Sequence, residues 1–367
     1  MKITKGLIIT ALLAVVSIGC KNENKAIKKT STAKNVLAEE NTPIKMYGAL
    51  QIEGAQLKSE CGKPIQLAGM SLFWHQWPGK EFWNEKAFRK LRDDWKLQYL
   101  RAPLGIELKG CYIDKPEEGM AQMRTAIEAA IANDIYIIVD WHAHDAHPEL
   151  AKSFFAEISK DYGKYPNVIY EIFNEPTGRS FTDVDETWPE LKAYSQELIA
   201  TIRENDPDNI IIVPTPFWDQ LTDQAADDPI NVDANGNEVS NIAYTLHFYA
   251  GQHKEDVRDK AEYAIQKGLP IWVTECGRVG TNFGKPRAEN ANPVDVESFE
   301  KWMQWLNKHQ ISYSKWSLST KDEMSSSFYK GADPHGNWTG ADLTEEGKWN
   351  RNHFRERFKN GWSEGCK

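Results

Sequence analysis

The run Ile169–Pro176, Ile-Tyr-Glu-Ile-Phe-Asn-Glu-Pro, begins as an apolar strand and breaks into an amide, a carboxylic acid and a proline. Proline cannot donate to a sheet ladder, so Asn174 and Glu175 are set side by side at a strand's C-terminal end. In parallel α/β proteins ligands bind at that end. A lone Asn-Glu-Pro would read equally well as a salt-bridged loop acid. A second acid, Glu275, closes another strand-like run, and further polar or aromatic residues sit at the ends of others. They are His75 and Trp77, Arg101, Asp140-Trp141-His142, Trp218, His247 with Tyr249, and Trp316. Two carboxylic acids with a cation, imidazoles, an amide and a phenol suit acid–base and nucleophilic chemistry. The histidine spacings form no metal-ligand set, and neither metal nor cofactor is expected.

These residues need a scaffold that gathers strand ends on one face. From Met46 to Ile65 the pattern alternates around Glu-Cys-Gly-Lys-Pro, a hairpin-like opening. Strand and helix signals then alternate. Strands are predicted over Gln66–Leu72, Gln98–Ala102, Tyr136–Trp141, Val168–Phe173, Ile210–Val213, Ile242–Phe248, Ile271–Thr274 and Tyr313–Ser317. Helices are predicted over Trp83–Asp94, Met120–Asn133, Glu149–Tyr162, Thr187–Asn205, Lys254–Lys267, Val294–His309 and Thr344–Phe358, with a weak one near Asp219–Ala226. Eight such pairs in one composition regime point to a single α/β domain, a (β/α)8 TIM barrel with an N-terminal β-hairpin. A doubly wound open sheet is the alternative, but no glycine-rich phosphate loop follows the first strand. If Glu275 points into the barrel, alternation puts Ile271 and Val273 inside and Trp272 and Thr274 against the helices. Glu171 shares the parity of Glu175 but lies deeper, as a paired interior carboxylate.

Composition narrows the ligand. The chain has 367 residues and a formal net charge of −9, without a basic block, which argues against nucleic acid. Its 14 Trp, 13 Tyr and 14 Phe are a high aromatic load, and many fall at strand ends, where aromatic faces suit the apolar faces of sugar rings. At the N-terminus Lys2 and Lys5 precede an apolar run, Leu7–Ile18, too short to span a bilayer. Ser-Ile-Gly-Cys at its end resembles a bacterial lipobox. The expected organisation is a lipoprotein-type signal over 1–20 with Cys20 as the lipidated residue, a flexible tether over 21–45, and a catalytic domain over 46–362. Export to a membrane-anchored site, contact with the membrane through the lipid alone, and a monomer are expected. Export permits disulfides, and Cys61 with Cys366 is the plausible pair.

Ile169–Pro176, Leu246–Tyr249 (Leu-His-Phe-Tyr) and Trp272–Gly277 (Trp-Val-Thr-Glu-Cys-Gly) together resemble glycoside hydrolase family 5, in its bacterial endoglucanase branch. Gly69-Met70-Ser71 with His75 and Trp77, Leu100-Arg101-Ala102, Asp140-Trp141-His142 and Lys315-Trp316-Ser317-Leu318 add to the likeness. The resemblance implies Glu175 as acid/base and Glu275 as nucleophile of a retaining endo-β-1,4-glucanase acting on cellulose-like or mixed-linkage glucans. It implies Arg101 and Tyr249 as holders of the nucleophile, and Asn174 as donor to the sugar's 2-hydroxyl. His142 and His247 would be polar walls and Trp316 the platform under the cleaved ring. Lys321 and Glu323 would meet a more distant glucose, and Trp218 the leaving-group side. Gly105 occupies a place where relatives often carry an aromatic residue. The same barrel and acids also serve β-mannanases, xylanases and xyloglucanases, and a non-catalytic glycan-binding surface lipoprotein is the reading from another class.

Overall fold

The computed structural model describes residues 41–177, 186–280, 286–289, 294–362 and 365–366. The expected signal segment, Cys20 and the tether up to residue 40 lie outside the described residues. Regular structure begins before residue 46: Pro43–Tyr47 forms a short helix, α1, with proline in its first turn, starting within the last residues of the stretch expected to be tether and running into the expected domain. A two-stranded antiparallel hairpin follows, β1 (Gln51–Glu53) and β2 (Gln56–Lys58).

Eight parallel strands then close into a barrel: β3 (Ala68–Leu72), β4 (Tyr99–Gly105), β5 (Tyr136–His142), β6 (Val168–Glu171), β7 (Ile211–Val213), β8 (Ile242–Tyr249), β9 (Ile271–Gly277) and β10 (Tyr313–Leu318). Each pairs with its sequence neighbour, and β10 closes on β3. Every residue in these eight strands is buried, because helices cover the outside and side chains fill the inside. The helices are α2 (Glu85–Lys90), α3 (Pro116–Ala132), α4 (Pro148–Tyr162), α5 (Trp188–Arg203), α6 (Thr222–Asp227), α7 (Glu255–Gln266), α8 (Val296–His309) and α9 (Glu345–Arg357). Their starts are written locally. Asn84 accepts from the Ala87 N–H, Thr187 and Glu190 form a reciprocal capping box, and Pro116 and Pro148 open their helices. The first helix is shorter than predicted: after Lys90 the chain widens into a π-turn, Leu91–Trp95, and Trp83 precedes the helix.

The interior is graded along the barrel axis. At the bottom Tyr99, Tyr136, Ile138, Ile169, Ile212 and Trp272 pack against Tyr47, Leu50 and Leu57 of α1 and the hairpin, which plug that end. Cys61 and Cys366 form a disulfide there, with Cα atoms 5.5 Å apart, which ties the hairpin to the C-terminus. Higher up the interior turns polar, and the top holds Phe73, Trp74, Tyr249 and Trp316.

One parity assignment is reversed. Trp272 faces inward, its Nε1–H donating to the Tyr99 hydroxyl at 3.1 Å, and Thr274 also faces inward. Ile271 and Val273 pack in the outer layer with α8 residues Phe299, Trp302 and Leu306. Glu275 still points inward because β9 carries one extra residue. Against β8 the register runs Thr245↔Trp272 and then His247↔Glu275. Against β10 it runs Tyr313↔Val273 and then Lys315↔Cys276. A bulge of this kind re-aims the side chains beyond it, here bringing Thr274 and Glu275 to the same side.

Candidate active site

Arg101 on β4 is fully buried at the level where the barrel turns polar, and it organises four side chains. Its Nε and Nη2 donate to the two oxygens of Glu171 at 2.7 and 3.0 Å. Nη1 reaches Glu275 Oε2 at 2.9 Å, and Nη2 also reaches Asn174 Oδ1 at 2.6 Å and Asp140 Oδ2 at 2.9 Å. The planar fork of a guanidinium suits several acceptors fixed in one plane. Glu171 is thus the paired interior acid that its depth suggested. Asn174, its oxygen taken by Arg101, has its Nδ2 buried without a hydrogen-bond partner among the described residues. A donor held in that state is prepared for an acceptor from outside the protein.

Above this network Glu175 and Glu275 face one another. An oxygen of each and a ring nitrogen of His247 lie within 4.8 Å of one another, the one such His/Asp/Glu group found among the described residues with the spacing of a metal site. The hydrogen bonds divide the two acids. Glu275 accepts from Arg101 and, through Oε1, from the Tyr249 hydroxyl. Glu175 Oε1 meets His247 Nδ1 at 2.8 Å, and its Oε2 is 3.9 Å from His144 Nδ1. His247 Nε2 is held by Thr274 Oγ1 at 2.8 Å. Burial pushes the carboxyl of Glu175 upward, against His144, Arg101 and the adjacent Asn174 side chain. Burial and then the charge of Glu175 push Glu275 upward, against His247, Arg101 and Tyr249. Burial also lowers His247 to about 4, so its ring is neutral, and holds the Tyr249 phenol well above its ordinary range, so it remains a donor.

A cleft of about 440 Å³ opens over the two acids. On one side stand Phe73, Trp74, Trp77, Lys321 and Glu323, and on the other Phe217, Trp218 and Gln220; His142, His144, His247, Tyr249 and Trp316 lie along it. Lys321 pairs with Glu323 at 2.7 Å, and its ammonium lies over the Phe73 and Trp77 rings. Trp74 stacks on Trp77 with centroids 4.8 Å apart, which needs Gly105: a Cβ there would lie 2.6 Å from the Trp74 ring. Trp316 lies parallel to the His142 ring, 5.8 Å away, and His142 Nδ1 is fixed by Asp140 Oδ2 at 2.7 Å. The structure therefore gathers Trp77, His142, Glu175, Trp218, His247, Tyr249, Glu275, Trp316, Lys321 and Glu323 around one cleft, with Arg101 and Asn174 directly beneath.

His75 is the exception. It does not line the cleft. Its Nδ1 accepts the Gly105 N–H at 3.1 Å, the ring is buried, and burial lowers it to about 4. It is a packing residue that fixes the β4 end, and Trp74, one position earlier, takes the cleft wall instead. Phe73, Trp74, His144 and Phe217 were missed as cleft residues. Their signal was their aromatic type beside predicted strand ends, which does not show which of several adjacent rings turns inward.

Comparisons agree with this geometry. The family described as cellulase (glycosyl hydrolase family 5) matches residues 59–322. The chain is similar to Endoglucanase Z of Dickeya dadantii, 37% identical over 310 residues, which cover 83% of this chain and 65% of that protein. It is 39% identical over 324 residues to an endoglucanase of Clostridium saccharobutylicum, covering 87% of this chain and 67% of that one. The chain thus spans about two thirds of the length of these relatives. Among solved structures, the catalytic domain of Thermobifida fusca endoglucanase Cel5A in complex with cellotetraose superposes with a TM-score of 0.75 at 32% identity, covering 86% of this chain and 99% of that one.

Proposed function

The chain belongs to glycosyl hydrolase family 5, and from that premise we propose that it is a retaining endo-β-1,4-glucanase acting on cellulose-like or mixed-linkage glucans. The observation that carries the reading is the close pair of acids in unlike environments, Glu275 buried and Glu175 partly exposed to the cleft. Retaining glycosidases hold their two carboxyl groups about 5–5.5 Å apart, whereas inverting ones leave roughly 6.5–9.5 Å for a water. Oxygens of Glu175 and Glu275 within 4.8 Å of each other fit the first case.

The two acids divide the work by their partners. Arg101 and the Tyr249 hydroxyl both donate to Glu275 and favour its ionised, nucleophilic form. Glu175 meets a neutral imidazole and neither a cation nor a phenol at hydrogen-bond distance, so this reading assigns the proton of the pair to Glu175, ready for the leaving oxygen. Attack by Glu275 on the anomeric carbon forms a glycosyl ester as the bond to the leaving oxygen breaks, and Glu175 supplies the proton to that oxygen. With Glu275 now uncharged, Glu175 takes a proton from water, which attacks the ester and returns Glu275 as a carboxylate. The unpaired Nδ2 of Asn174 is suited to the sugar's 2-hydroxyl, a contact that tightens as positive charge grows on the ring. Trp77, Trp218 and Trp316 supply apolar platforms along the cleft, and the cellotetraose bound by the Thermobifida fusca domain is a chain of the kind this cleft would take.

Kinetics of two variants test this. Glu275→Gln is expected to abolish hydrolysis of every substrate. Glu175→Gln is expected to abolish cleavage of soluble cellulose derivatives yet retain a burst of phenol from an activated aryl cellobioside, with the sugar trapped on Glu275. First products of α configuration would overturn the mechanism. Faster release of reducing ends from mannan or xylan than from soluble cellulose would overturn the substrate.

A further inference from the structure

The turn that carries Trp218 to the cleft is unusual. In Pro216–Asp219 three successive residues, Phe217, Trp218 and Asp219, have φ of 55°, 57° and 56°. None is glycine, and the left-handed region costs an ordinary residue about 1–2 kcal/mol. Side chains that must reach particular places account for such a run. Trp218 reaches the cleft wall. Asp219 turns the other way and is fully buried.

Only half of the Asp219 carboxyl serves the turn. Its Oδ1 accepts the Thr215 N–H at 2.8 Å. Its Oδ2 has no hydrogen-bond partner among the described residues and lies 3.6 Å from His247 Nδ1. That nitrogen is the one facing Glu175 Oε1 at 2.8 Å. On the other side of the ring Thr274 Oγ1 holds Nε2. A neutral ring carries one N–H. Whichever nitrogen carries it, two carboxyl groups face Nδ1. An asparagine would cap the turn equally well, and a second buried carboxyl oxygen left unpaired costs about 1–3 kcal/mol.

We propose that Asp219 is a positioning residue for the acid step: it faces the same ring nitrogen of His247, Nδ1, as Glu175, competes with it there, and forms with Glu175 a pair that retains a proton. The proposal rests on the reading of Glu175 as the acid. Two carboxyl groups at one ring nitrogen, in a buried setting, do not both ionise readily, so the first charge on either holds the proton on the other. The charged and titratable groups around the pair are His247 on β8, Glu171 and Arg101 below it, Glu275 on β9 and His144 after β5. One guanidinium in contact with Glu171, Asp140 and Glu275 makes no ion pair with Asp219 and opposes its upward shift only from a distance. Burial first, and then the charges of Glu175 and Glu171, push its carboxyl well up, in keeping with this geometry.

Asp219→Asn separates this role from turn capping, because the amide oxygen can still accept from Thr215 while the titrating group is gone. The expected result is an alkaline limb of kcat/KM on cello-oligosaccharides that falls at lower pH by about one unit, a tenfold loss at a fixed pH above the limb. Hydrolysis of a dinitrophenyl cellobioside, whose leaving group needs no proton, is expected to keep its wild-type first-step rate. Asp219→Ala, which also loses the cap, serves as the measure of a purely structural effect and is expected to lower thermal stability and slow both substrates. An unshifted limb in Asp219→Asn, or equal loss on both substrates, would overturn the proposal. Glu175→Gln run alongside distinguishes the two failures: if it keeps polysaccharide cleavage, the underlying assignment of Glu175 is what has failed.

Discussion

Replacing Tyr249 by phenylalanine removes one oxygen and keeps the ring that packs against Gly277, so the perturbation is confined to the hydroxyl donating to Glu275 Oε1. The ionised form of Glu275 accepts that bond and the protonated form gains less from it. Burial and the charge of Glu175 already push Glu275 upward, and the Tyr249 hydroxyl acts in the opposite direction. A hydrogen bond to a charged group contributes about 1.5–3 kcal/mol, and one pKa unit corresponds to about 1.4 kcal/mol. Losing the donor should therefore raise Glu275 by roughly one to two units. The sign follows: the nucleophile must be ionised, so activity is lost as pH falls through its pKa. In Tyr249→Phe the acid limb moves to higher pH by the same amount. Below both limbs kcat/KM falls about tenfold to a hundredfold, while above both limbs the protonation effect vanishes. The assay is kcat/KM against pH on an aryl cellobioside, with circular dichroism confirming the fold at each pH. A uniform loss at every pH with an unmoved acid limb would refute the argument and place the role of Tyr249 outside the ionisation of Glu275.

The aromatic platforms should separate by step: Trp316→Ala is expected to lower kcat strongly and Trp218→Ala mainly to raise KM for longer oligosaccharides, read from steady-state kinetics on a cello-oligosaccharide series. Gly105→Ala should displace Trp74, since the new Cβ would lie 2.6 Å from its ring, and so weaken oligosaccharide binding measured by calorimetry with the inactive Glu275→Gln protein. Opening the Cys61–Cys366 bridge, which joins positions 305 residues apart at the bottom of the barrel, should cost about 2–4 kcal/mol in denaturant unfolding and leave kcat unchanged. Cys20→Ala is expected to move the protein from the membrane to the soluble fraction without loss of specific activity.

The barrel was legible because its signals are repetitive. Each strand is a short apolar run, most of the helices have their own cap or opening proline, and the eight strand–helix pairs agree with one another. Hydrogen-bond register was less legible. An expected two-residue alternation along Ile271–Glu275 cannot reveal an inserted residue, because Val-Thr-Glu contains neither glycine nor proline to mark it. Trp272 therefore came out on the wrong side, although Glu275 was correctly placed. The turn at 216–219 hid itself for a related reason. Positive φ is usually announced by Gly or Asn, and here it falls on Phe217, Trp218 and Asp219. His75 failed differently: beside Trp74 in the same loop, nothing local says which ring enters the cleft, and the decision is made by Gly105 at the end of the neighbouring strand β4.

The division of labour between the two acids could not have come from their own neighbours in sequence, since Asn174-Glu175 and Glu275-Cys276 say nothing about charge. It comes from a count that only the assembled barrel supplies. Beneath the cleft one permanent cation, Arg101, meets Glu171, Asp140 and Glu275, while Glu175 and Asp219 look toward a single neutral imidazole. Five carboxyl groups, four of them buried and Glu175 partly so, crowd one positive charge, and the proposed mechanism keeps a proton where donors are fewest. Glu275 has a guanidinium and a phenol, and ionises. Glu175 meets His247 Nδ1, which Asp219 also faces, and in the proposed mechanism it keeps its proton until a leaving oxygen takes it. On the proposed mechanism, esterification of Glu275 would remove its charge, relax the pressure on Glu175, and let the group that served as the acid serve as the base for the incoming water.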